Sequence, residues 1–232
     1  NLQVIQKAMK RFQIRLFKGH PIINDGENII LIDTGAPSTI HTLASLNFCS
    51  ESFGCSTNYM GLTVSKISEM LGTEITTLLG ADVLSNFKIH FDYKNEVVDF
   101  NTEAITIEGT EIDISNFMGI PIIELKIENQ ILKFFLDTGA KLSYLSDSIT
   151  SNYESVGTDE DFYPGIGKFE TDCFEIPTIF ENFKFNVKYG NLPKLLQMTL
   201  MLGGTDGIIG FDFFNNFKVV LDLSNNSLKY AK

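Results

Sequence analysis

Two stretches of the sequence place an aspartate directly after an apolar run and follow it with the same three residues. Ile30-Leu31-Ile32 precedes Asp33-Thr34-Gly35-Ala36, and Phe134-Phe135-Leu136 precedes Asp137-Thr138-Gly139-Ala140. An aspartate with a glycine two positions later is ordinary turn chemistry, so a single copy would carry little functional information. Two copies at equivalent positions of a repeated sequence point to paired chemistry.

Two carboxyl groups in contact can act as an acid and a base at the same time. They cannot both ionise cheaply, so they hold one proton between them and titrate as a coupled pair. The ionised member can take a proton from a water that attacks a carbonyl, while the protonated member donates to the carbonyl oxygen or the leaving nitrogen. If Asp33 faces Asp137, the pair can hydrolyse a peptide bond without a metal or other cofactor.

A second repeated block predicts how the two aspartates meet. Residues 80–88 and 210–218 share Gly, Asp, Asn, Phe and Lys at matching spacing, and two apolar residues precede each block. This self-similarity indicates a tandem duplication. Duplicated units can pack about a pseudo-twofold axis as homodimer subunits do, which brings equivalent residues together near the axis. We expect two lobes, residues 1–116 and 117–232, with Asp33 facing Asp137.

Short hairpins dominate the secondary structure that the sequence predicts. Apolar-rich runs separated by a few polar residues indicate hairpins, and helical spacing of apolar residues ending at a glycine predicts two helices. The hairpins cover residues 87–100, 122–136 and 217–230, the helices cover 64–71 and 192–202, and residues 101–117 are expected to connect the halves. The pattern predicts an all-β protein with short helices.

The interval between the two repeated blocks is longer in the second half, which therefore carries an insertion within residues 148–192. Its segment 161–169 has mobile glycines and large apolar side chains that suit a hairpin covering a bound peptide. The residues expected to contact substrate there are Phe162, Tyr163, Gly165, Ile166 and Gly167. The alternative is a surface loop with two buried aromatics. The first half offers only residues 45–60, with a tip near Ser52-Phe53-Gly54.

Composition excludes several other classes of function. The net charge of −11 would repel a phosphate backbone, so nucleic acid is not expected as a partner. No apolar run is long enough for a membrane helix. The three histidines lack metal-ligand spacing and are expected at the surface or in packing. Cys49, Cys55 and Cys173 favour a reducing, cytoplasmic compartment, although a Cys49–Cys55 bond across a hairpin and a processed secreted form stay open.

The two Asp-Thr-Gly-Ala motifs, each with a downstream apolar-apolar-Gly motif, resemble those of the pepsin and retropepsin superfamily of aspartic proteases. The resemblance spans most of both halves. It implies an all-β fold of two β-barrel lobes related by a pseudo-twofold axis, with Asp33 and Asp137 as the catalytic pair. Ala36 and Ala140 resemble retropepsins, whereas two lobes in one chain resemble pepsin. The chain is therefore interpreted as two fused retropepsin-like domains.

The resemblance also implies roles for the neighbours of the aspartates. Thr34 and Thr138 would brace the lobes against each other beneath the site. Gly35 and Gly139 would leave room for amide hydrogen bonds to the carboxylates, and Ala36 and Ala140 would line the substrate site. Pepsin-like enzymes carry their main flap on the first lobe, so the position of this insertion departs from their pattern.

Three hypotheses follow from the sequence. The first is a monomeric aspartic endopeptidase that acts on extended peptides or proteins bound between the lobes. The second is a catalytically inactive peptide-binding module in which the carboxylates are structural. The third keeps the chemistry but pairs each half with another chain in a domain-swapped dimer.

Overall fold

The structure is a computed structural model that describes residues 9–163 and 167–232. Strands dominate the described residues. Those before residue 102 are β1 (Lys10–Gln13), β2 (Arg15–Phe17), β3 (His20–Asn24), β4 (Ile29–Ile32), β5 (Ile40–His41), β6 (Ser45–Phe48), β7 (Glu51–Gly54), β8 (Thr77–Leu79), β9 (Lys88–Asp92) and β10 (Val97–Asn101).

Eleven further strands follow among the described residues. They are β11 (Thr110–Asp113), β12 (Ser115–Phe117), β13 (Ile120–Ile127), β14 (Gln130–Leu136), β15 (Ser143–Leu145), β16 (Gly157–Tyr163), β17 (Gly167–Phe180), β18 (Phe183–Asn191), β19 (Gly207–Ile209), β20 (Lys218–Asp222) and β21 (Ser227–Ala231). The helices are short: α1 (Val64–Leu71), α2 (Ala81–Leu84), α3 (Asp147–Thr150), α4 (Lys194–Gly203) and α5 (Phe211–Asn216). None of these helices is long and apolar enough to cross a membrane.

A six-stranded sheet joins the two parts of the chain, in the order β1-β10-β9-β20-β21-β11. Its central strands β9 and β20 are antiparallel, and their register is symmetric. His90 lies opposite Val220, flanked by the pairs Ile89–Leu221 and Phe91–Val219. A pseudo-twofold axis therefore passes between β9 and β20, because each pair on one side has its equivalent on the other.

Each part of the chain also forms a sheet of its own with the same strand order. The first sheet runs β2-β3-β4-β8-β5, and the second begins β12-β13-β14-β19-β15 before it continues through β18, β17 and β16. In both, the strand before an Asp-Thr-Gly motif pairs in parallel with the strand before the later glycine: β4 with β8, and β14 with β19. We call residues 9–101 the first lobe and residues 110–232 the second lobe.

The expected hairpins form as β9–β10, β13–β14 and β20–β21. Helix α1 has the predicted bounds, with Thr63 capping its start and Gly72 ending it at a φ of 80°. Helix α4 begins two residues later than predicted, because Pro193 is its N-cap. The segment 101–117, which the sequence predicts as a connection between the halves, contains two paired strands. β11 pairs with β21, and β12 pairs with β13. The predicted division at 116/117 therefore falls inside a hairpin, and the pairing assigns residues 110–117 to the second lobe.

Packed phenylalanines fill the core between the lobes. Phe213, Phe214 and Phe217 are at most 2% exposed, as expected for core residues, whereas Phe211 is only partly buried against them. Rings from both lobes meet there, with Phe91 and Phe214 5.2 Å apart. The six-stranded sheet and this aromatic layer fix the two lobes relative to each other, so the loops above them meet in a defined geometry.

The three cysteines are free thiols. The alternative of a Cys49–Cys55 bond across a hairpin is not realised, because the two residues lie at opposite ends of one strand. Cys49 stands in the turn between β6 and β7, and Cys55 follows the last residue of β7.

Candidate active site

Each aspartate lies where a buried strand leaves its sheet. Asp33 follows β4, and its amide donates to the carbonyl of Leu79 on β8 at 3.0 Å. Asp137 follows β14, and its amide donates to the carbonyl of Ile209 at 2.9 Å. The parallel strand beside each aspartate therefore fixes the start of each loop in the same way.

The later glycines allow the two chain segments of each loop to approach closely. A Cβ at Gly80 would lie 2.7 Å from the carbonyl carbon of Ser38, and one at Gly210 would lie 2.1 Å from the carbonyl oxygen of Ala140. Real Cβ atoms do not approach backbone so closely, so both positions require glycine. This explains why the apolar-apolar-Gly block accompanies each Asp-Thr-Gly motif.

The two threonines join the loops across the pseudo-twofold axis. The hydroxyl of Thr34 donates to the carbonyl of Leu136 at 2.7 Å and accepts from the amide of Thr138 at 2.9 Å. Thr138 repeats this pattern, donating to Ile32 at 2.8 Å and accepting from Thr34 at 3.0 Å. Both side chains are fully buried. The four hydrogen bonds of Thr34 and Thr138 therefore connect the two loops reciprocally.

The carboxyls of Asp33 and Asp137 meet in the space that the two glycines leave. The Gly35 amide donates to Asp33 Oδ1 at 3.0 Å, and the Gly139 amide donates to Asp137 Oδ1 at 2.7 Å. A Cβ at Gly35 would lie 2.3 Å from Asp137 Cγ, and one at Gly139 would lie 2.5 Å from Asp33 Cγ. Each carboxyl therefore packs against the glycine of the other lobe, and the two carboxyls hydrogen-bond to each other.

Burial and proximity raise the pKa of both carboxyls. For Asp33 the causes are burial, then the negative charge of Asp137 and the hydrogen bond to it, and the pKa lies well above the usual value. Burial also raises the pKa of Asp137, but the Gly139 amide and the hydrogen bond with Asp33 oppose it. Two carboxyls in this arrangement hold one proton between them.

The chain is similar in structure to an aspartic proteinase from Irpex lacteus, with a TM-score of 0.51 and 13% identity over 97% of this chain and 97% of that one. A retropepsin-like aspartic protease from Rickettsia conorii aligns with a TM-score of 0.37 and 18% identity over 55% of this chain and 95% of that one. No family model matches the sequence, and no curated protein matches it. The chain has the bilobal all-β fold of pepsin-like proteinases. The predicted fold class is therefore confirmed.

The second-lobe hairpin β16–β17 reaches across this pepsin-like cleft. Phe162 packs against apolar residues of the first lobe, and its ring lies 5.8 Å from that of His20. Tyr163 packs against the second lobe, and burial and then the charges of Asp137 and Asp33 raise its pKa to about 12. Gly167 has the positive φ of 86° expected at a turn. Gly165 and Ile166 lie outside the described residues.

Polar contacts hold the base of this hairpin. The hydroxyl of Tyr144 donates to the buried carboxyl of Asp161. Lys141 donates to Asp159 at 3.2 Å and to the carbonyl of Glu160, and it follows the Asp137 loop directly. The base of the hairpin is thus tied to the same segment that carries Asp137.

The first-lobe hairpin β6–β7 does not reach the cleft. Its turn is formed by Cys49 and Ser50, not by the expected tip at residues 52–54. Leu46 and Phe48 are at most 1% exposed within the core, and Phe53 packs on Phe87 at 6.0 Å. The hairpin faces the core, because its apolar side chains find partners there.

Sequence reasoning missed two groups of residues around the site. Thr39 and Ser143 accept hydrogen bonds from the amides of Gly80 and Gly210 at 2.9 Å and 3.1 Å. These hydroxyls follow the two aspartates at the same spacing, which was the signal available in the sequence. His20 was assigned to surface or packing; it is a buried residue that also contacts the Asp137 loop. No repeat in the second half marks it, so the sequence offered no signal for that contact.

Proposed function

We propose that the protein is an aspartic endopeptidase that hydrolyses peptide bonds with a water activated between Asp33 and Asp137. The observation that carries the proposal is the contact of the two carboxyls, each packed against the glycine of the opposite lobe. A carboxyl pair with raised pKa values can hold one proton over the mildly acidic range and supply an acid and a base together.

In the proposed reaction, one carboxyl of the pair is the base and the other is the acid. The ionised carboxyl takes a proton from a water held between Asp33 and Asp137, and that water attacks the peptide carbonyl carbon. The protonated carboxyl gives its proton to the carbonyl oxygen, so a neutral tetrahedral diol forms. Collapse of the diol breaks the C–N bond, with one diol proton returning to the pair and one proton passing from the pair to the leaving nitrogen. Both carboxyls then regain their starting forms.

The proposed substrate is an extended peptide or protein segment that lies between the lobes under the hairpin β16–β17. The aromatic side chains of Phe162 and Tyr163 and the loop residues Ala36 and Ala140 would contact it. Beside the hairpin is a cavity of about 620 Å³ lined by the methionines Met60 and Met70, by Leu62, and by polar residues that include Lys66 and Lys168. We propose that this cavity accepts an apolar side chain of the substrate, because its wall is mainly apolar.

We further propose that one chain forms a complete site, with the two lobes as fused retropepsin-like units. Both aspartates, both bracing threonines and the covering hairpin come from the same chain. A monomer is therefore the proposed active species. Size-exclusion chromatography with light scattering tests this, since the domain-swapped alternative requires a dimer whose dissociation removes activity.

Substitution of the aspartates tests the proposed chemistry. We expect Asp33→Asn and Asp137→Asn each to lower kcat for an unfolded protein substrate by roughly 1,000-fold or more, because either change removes the acid–base pair. The double variant should be no worse than either single one, since the pair acts as a unit. Circular dichroism spectra must match the wild type. Appreciable activity in a folded single variant would overturn the mechanism.

The inactive peptide-binding module predicts a different result for the wild type. In that case the folded wild type would bind a peptide without cleaving it, and Asp33→Asn would leave the binding affinity nearly unchanged. Mass spectrometry of an incubated peptide library, with fluorescence anisotropy on the same peptides, separates the two functions.

A further inference from the structure

His20 is a buried side chain of the first lobe that contacts the aspartate loop of the second. It begins β3 and is 3% exposed. Its Nδ1 lies 2.8 Å from the carbonyl oxygen of Gly139. A carbonyl oxygen can only accept, so Nδ1 carries a proton and donates. One imidazole therefore links a strand of the first lobe to the Asp137-Thr138-Gly139 motif.

The residue whose carbonyl His20 holds also donates to the Asp137 carboxyl. The Gly139 amide donates to Asp137 Oδ1 at 2.7 Å and favours the ionised form of that carboxyl. A donor that fixes the Gly139 carbonyl holds the same residue through its other backbone group, so it keeps the Gly139 N–H aimed at Asp137.

The same ring contacts the covering hairpin. The centroids of His20 and Phe162 are 5.8 Å apart at an interplanar angle of 35°. Phe162 is the hairpin residue that packs against the first lobe. His20 thus contacts both second-lobe segments that reach the cleft, the Asp137 loop and the hairpin β16–β17.

The second lobe has no equivalent of this side chain. In the hairpin β2–β3, Phe17 pairs with His20, and in the matching hairpin β12–β13, Phe117 pairs with Ile120. An isoleucine side chain cannot donate a hydrogen bond, so it cannot hold the Gly35 carbonyl in the same way. The contact therefore distinguishes Asp137 from Asp33 within an otherwise symmetric pair of loops.

The surroundings of His20 favour its neutral form. Charged groups face it from each neighbouring element: Lys18 before β3, Lys141 after the Asp137 loop, Glu160 and Asp161 on β16, and Lys168 on β17. Burial lowers the pKa of His20 to about 4; the bond to Gly139 opposes this, and Lys141 and Lys18 add to it. In mildly acidic solution the ring is neutral with its proton on Nδ1.

We propose that His20 is a positioning residue for the Asp137 loop and for the covering hairpin. Through the Gly139 carbonyl it holds Gly139, whose amide donates to the Asp137 carboxylate, and through its ring it seats Phe162 over the cleft. The proposal rests on the proposed endopeptidase function. It predicts that the hydrogen bond governs kcat and that the ring contact governs KM.

Two substitutions separate these contributions. His20→Phe keeps the ring beside Phe162 and removes the donor, so kcat should fall roughly 10-fold or more while KM stays within about 2-fold. His20→Asn keeps an N–H near the position of Nδ1 and removes the ring, so KM should rise several-fold while kcat stays within about 3-fold. A wild-type kcat in folded His20→Phe, or an equal loss of kcat in both variants, would overturn the proposal.

His41→Asn is the matched control. His41 is also buried in the first lobe, and its Nδ1 lies 3.0 Å from the carbonyl of Thr76, away from both aspartate loops. Its substitution should lower the melting temperature, but it should neither lower kcat as His20→Phe does nor raise KM as His20→Asn does. If His41→Asn reproduces these changes, loss of a buried histidine explains the His20 results and the positioning role is wrong.

A titration by NMR tests the proposal without any need for activity. With ¹³C-labelled aspartate, the Asp137 carboxyl in His20→Phe should titrate at a higher pH than in the wild type, because the Gly139 amide is no longer held towards the carboxylate. His20→Asn should restore the wild-type titration. An unchanged titration in His20→Phe would refute the positioning role, whereas an inactive wild type that shows the shift would refute only the endopeptidase function.

The tautomer of His20 in the wild type gives a test that needs no variant to fold. Long-range ¹H–¹⁵N spectra between pH 5 and 7 should show a neutral ring protonated at Nδ1. A ring protonated at Nε2 would overturn the proposal, because it could not donate to Gly139.

Discussion

Each aspartate loop is followed by a hairpin of its own lobe, β6–β7 in the first lobe and β16–β17 in the second, and the two hairpins differ in what they cover. In the first lobe, β6–β7 turns through Cys49 and Ser50, which have φ values of 52° and 66°. Its buried side chains face the main core, where Phe48 lies 5.0 Å from Phe100. The short hairpin therefore stabilises the lobe and leaves the cleft open on its side.

In the second lobe, β16–β17 is longer, and its residue Phe162 packs against the first lobe. β17 has 14 residues, and its residues 167–173 pair with β16 while its residues 173–180 pair with β18. That support leaves the end near Phe162 and Tyr163 free to extend towards the first lobe. The aromatic residues of the short hairpin thus pack in the core, whereas Phe162 of the longer hairpin packs against the other lobe.

The comparison distinguishes the residues that both lobes must supply to a shared cleft from the features that one lobe can supply alone. Both lobes must supply a carboxyl, a bracing threonine and a glycine, so those residues occur twice with nearly identical contacts. One cover is sufficient for one cleft, so a single long hairpin can serve both aspartates. The same logic applies to His20, which contacts only one of the two loops.

Among the substitutions that test this comparison, we expect the largest loss of activity at the glycines of the two aspartate loops. Gly35→Ala would place a Cβ 2.3 Å from Asp137 Cγ, so the carboxyls must separate. We expect kcat/KM to fall roughly 100-fold or more, since small displacements of reacting groups have effects of that size.

A glycine of the short hairpin provides the control. Gly54→Ala adds a Cβ with no atom within 4 Å, so it should leave kcat/KM within about 2-fold of the wild type. Peptidase assays and thermal melts of both variants test the contrast. Near wild-type activity in Gly35→Ala would show that the carboxyl contact is not needed for hydrolysis.

A smaller effect is expected when the tip of the long hairpin is removed. Asp161 pairs with Phe169, so replacing residues 162–168 by Asn-Gly closes the hairpin with a two-residue turn and keeps the Tyr144–Asp161 bond. We expect KM to rise roughly 10-fold, because the removed segment is proposed to cover substrate. The melting temperature should fall as well, because Phe162 and Tyr163 pack against the two lobes.

Phe53→Ala in the short hairpin should differ in its effect on KM. Its ring packs on Phe87, so we expect a loss of about 2 kcal/mol in the free energy of unfolding with KM unchanged. Steady-state kinetics and urea unfolding of both proteins test the pair. If the tip replacement leaves KM unchanged, the long hairpin is not the cover.

The sequence predicted the parts of this fold that local patterns encode. Alternating apolar runs identified the hairpins, and the glycine after Leu71 marked the end of α1. The carboxyl pair followed from the duplicated Asp-Thr-Gly motif, because two similar units that share an axis bring equivalent residues together. The strands β11 and β12 were not predicted, because residues 110–117 look polar and irregular in the sequence, and only their partners in β21 and β13 make them strands.

Features that depend on distant contacts were not predictable from the sequence. His20 contacts Gly139 across 119 positions of the chain, and no pattern in either half relates the two residues. The failure of β6–β7 to form a cover depends on the space around Phe87 and Phe100, which the sequence does not report. Both features are determined by tertiary packing, which local sequence propensity does not encode.

The free energy of unfolding should depend on pH, in a direction that the raised pKa of Asp33 sets. The pKa of Asp33 is raised in the folded state, so the native protein holds this proton more tightly than the unfolded chain does. The free energy of unfolding therefore falls as the pH rises from the unfolded pKa through the folded one. We expect Asp33→Asn to gain stability relative to the wild type between pH 4 and 8, measured by urea unfolding, and a constant difference would contradict the raised pKa.

The smallest expected effect is a shift of the pH optimum. Ala36 and Ala140 follow the two motifs, and their methyl side chains cannot donate a hydrogen bond to the carboxylates; the net charge of −11 also favours retention of the shared proton. The singly protonated pair should persist to a higher pH, with kcat/KM highest at roughly pH 5 to 6. Ala36→Ser with Ala140→Ser adds a hydroxyl beside each carboxylate and should lower the optimum by up to about one pH unit. Profiles of kcat/KM against pH on one peptide compare the two proteins, and a wild-type optimum below about pH 3.5, or no downward shift in the double variant, would refute this explanation.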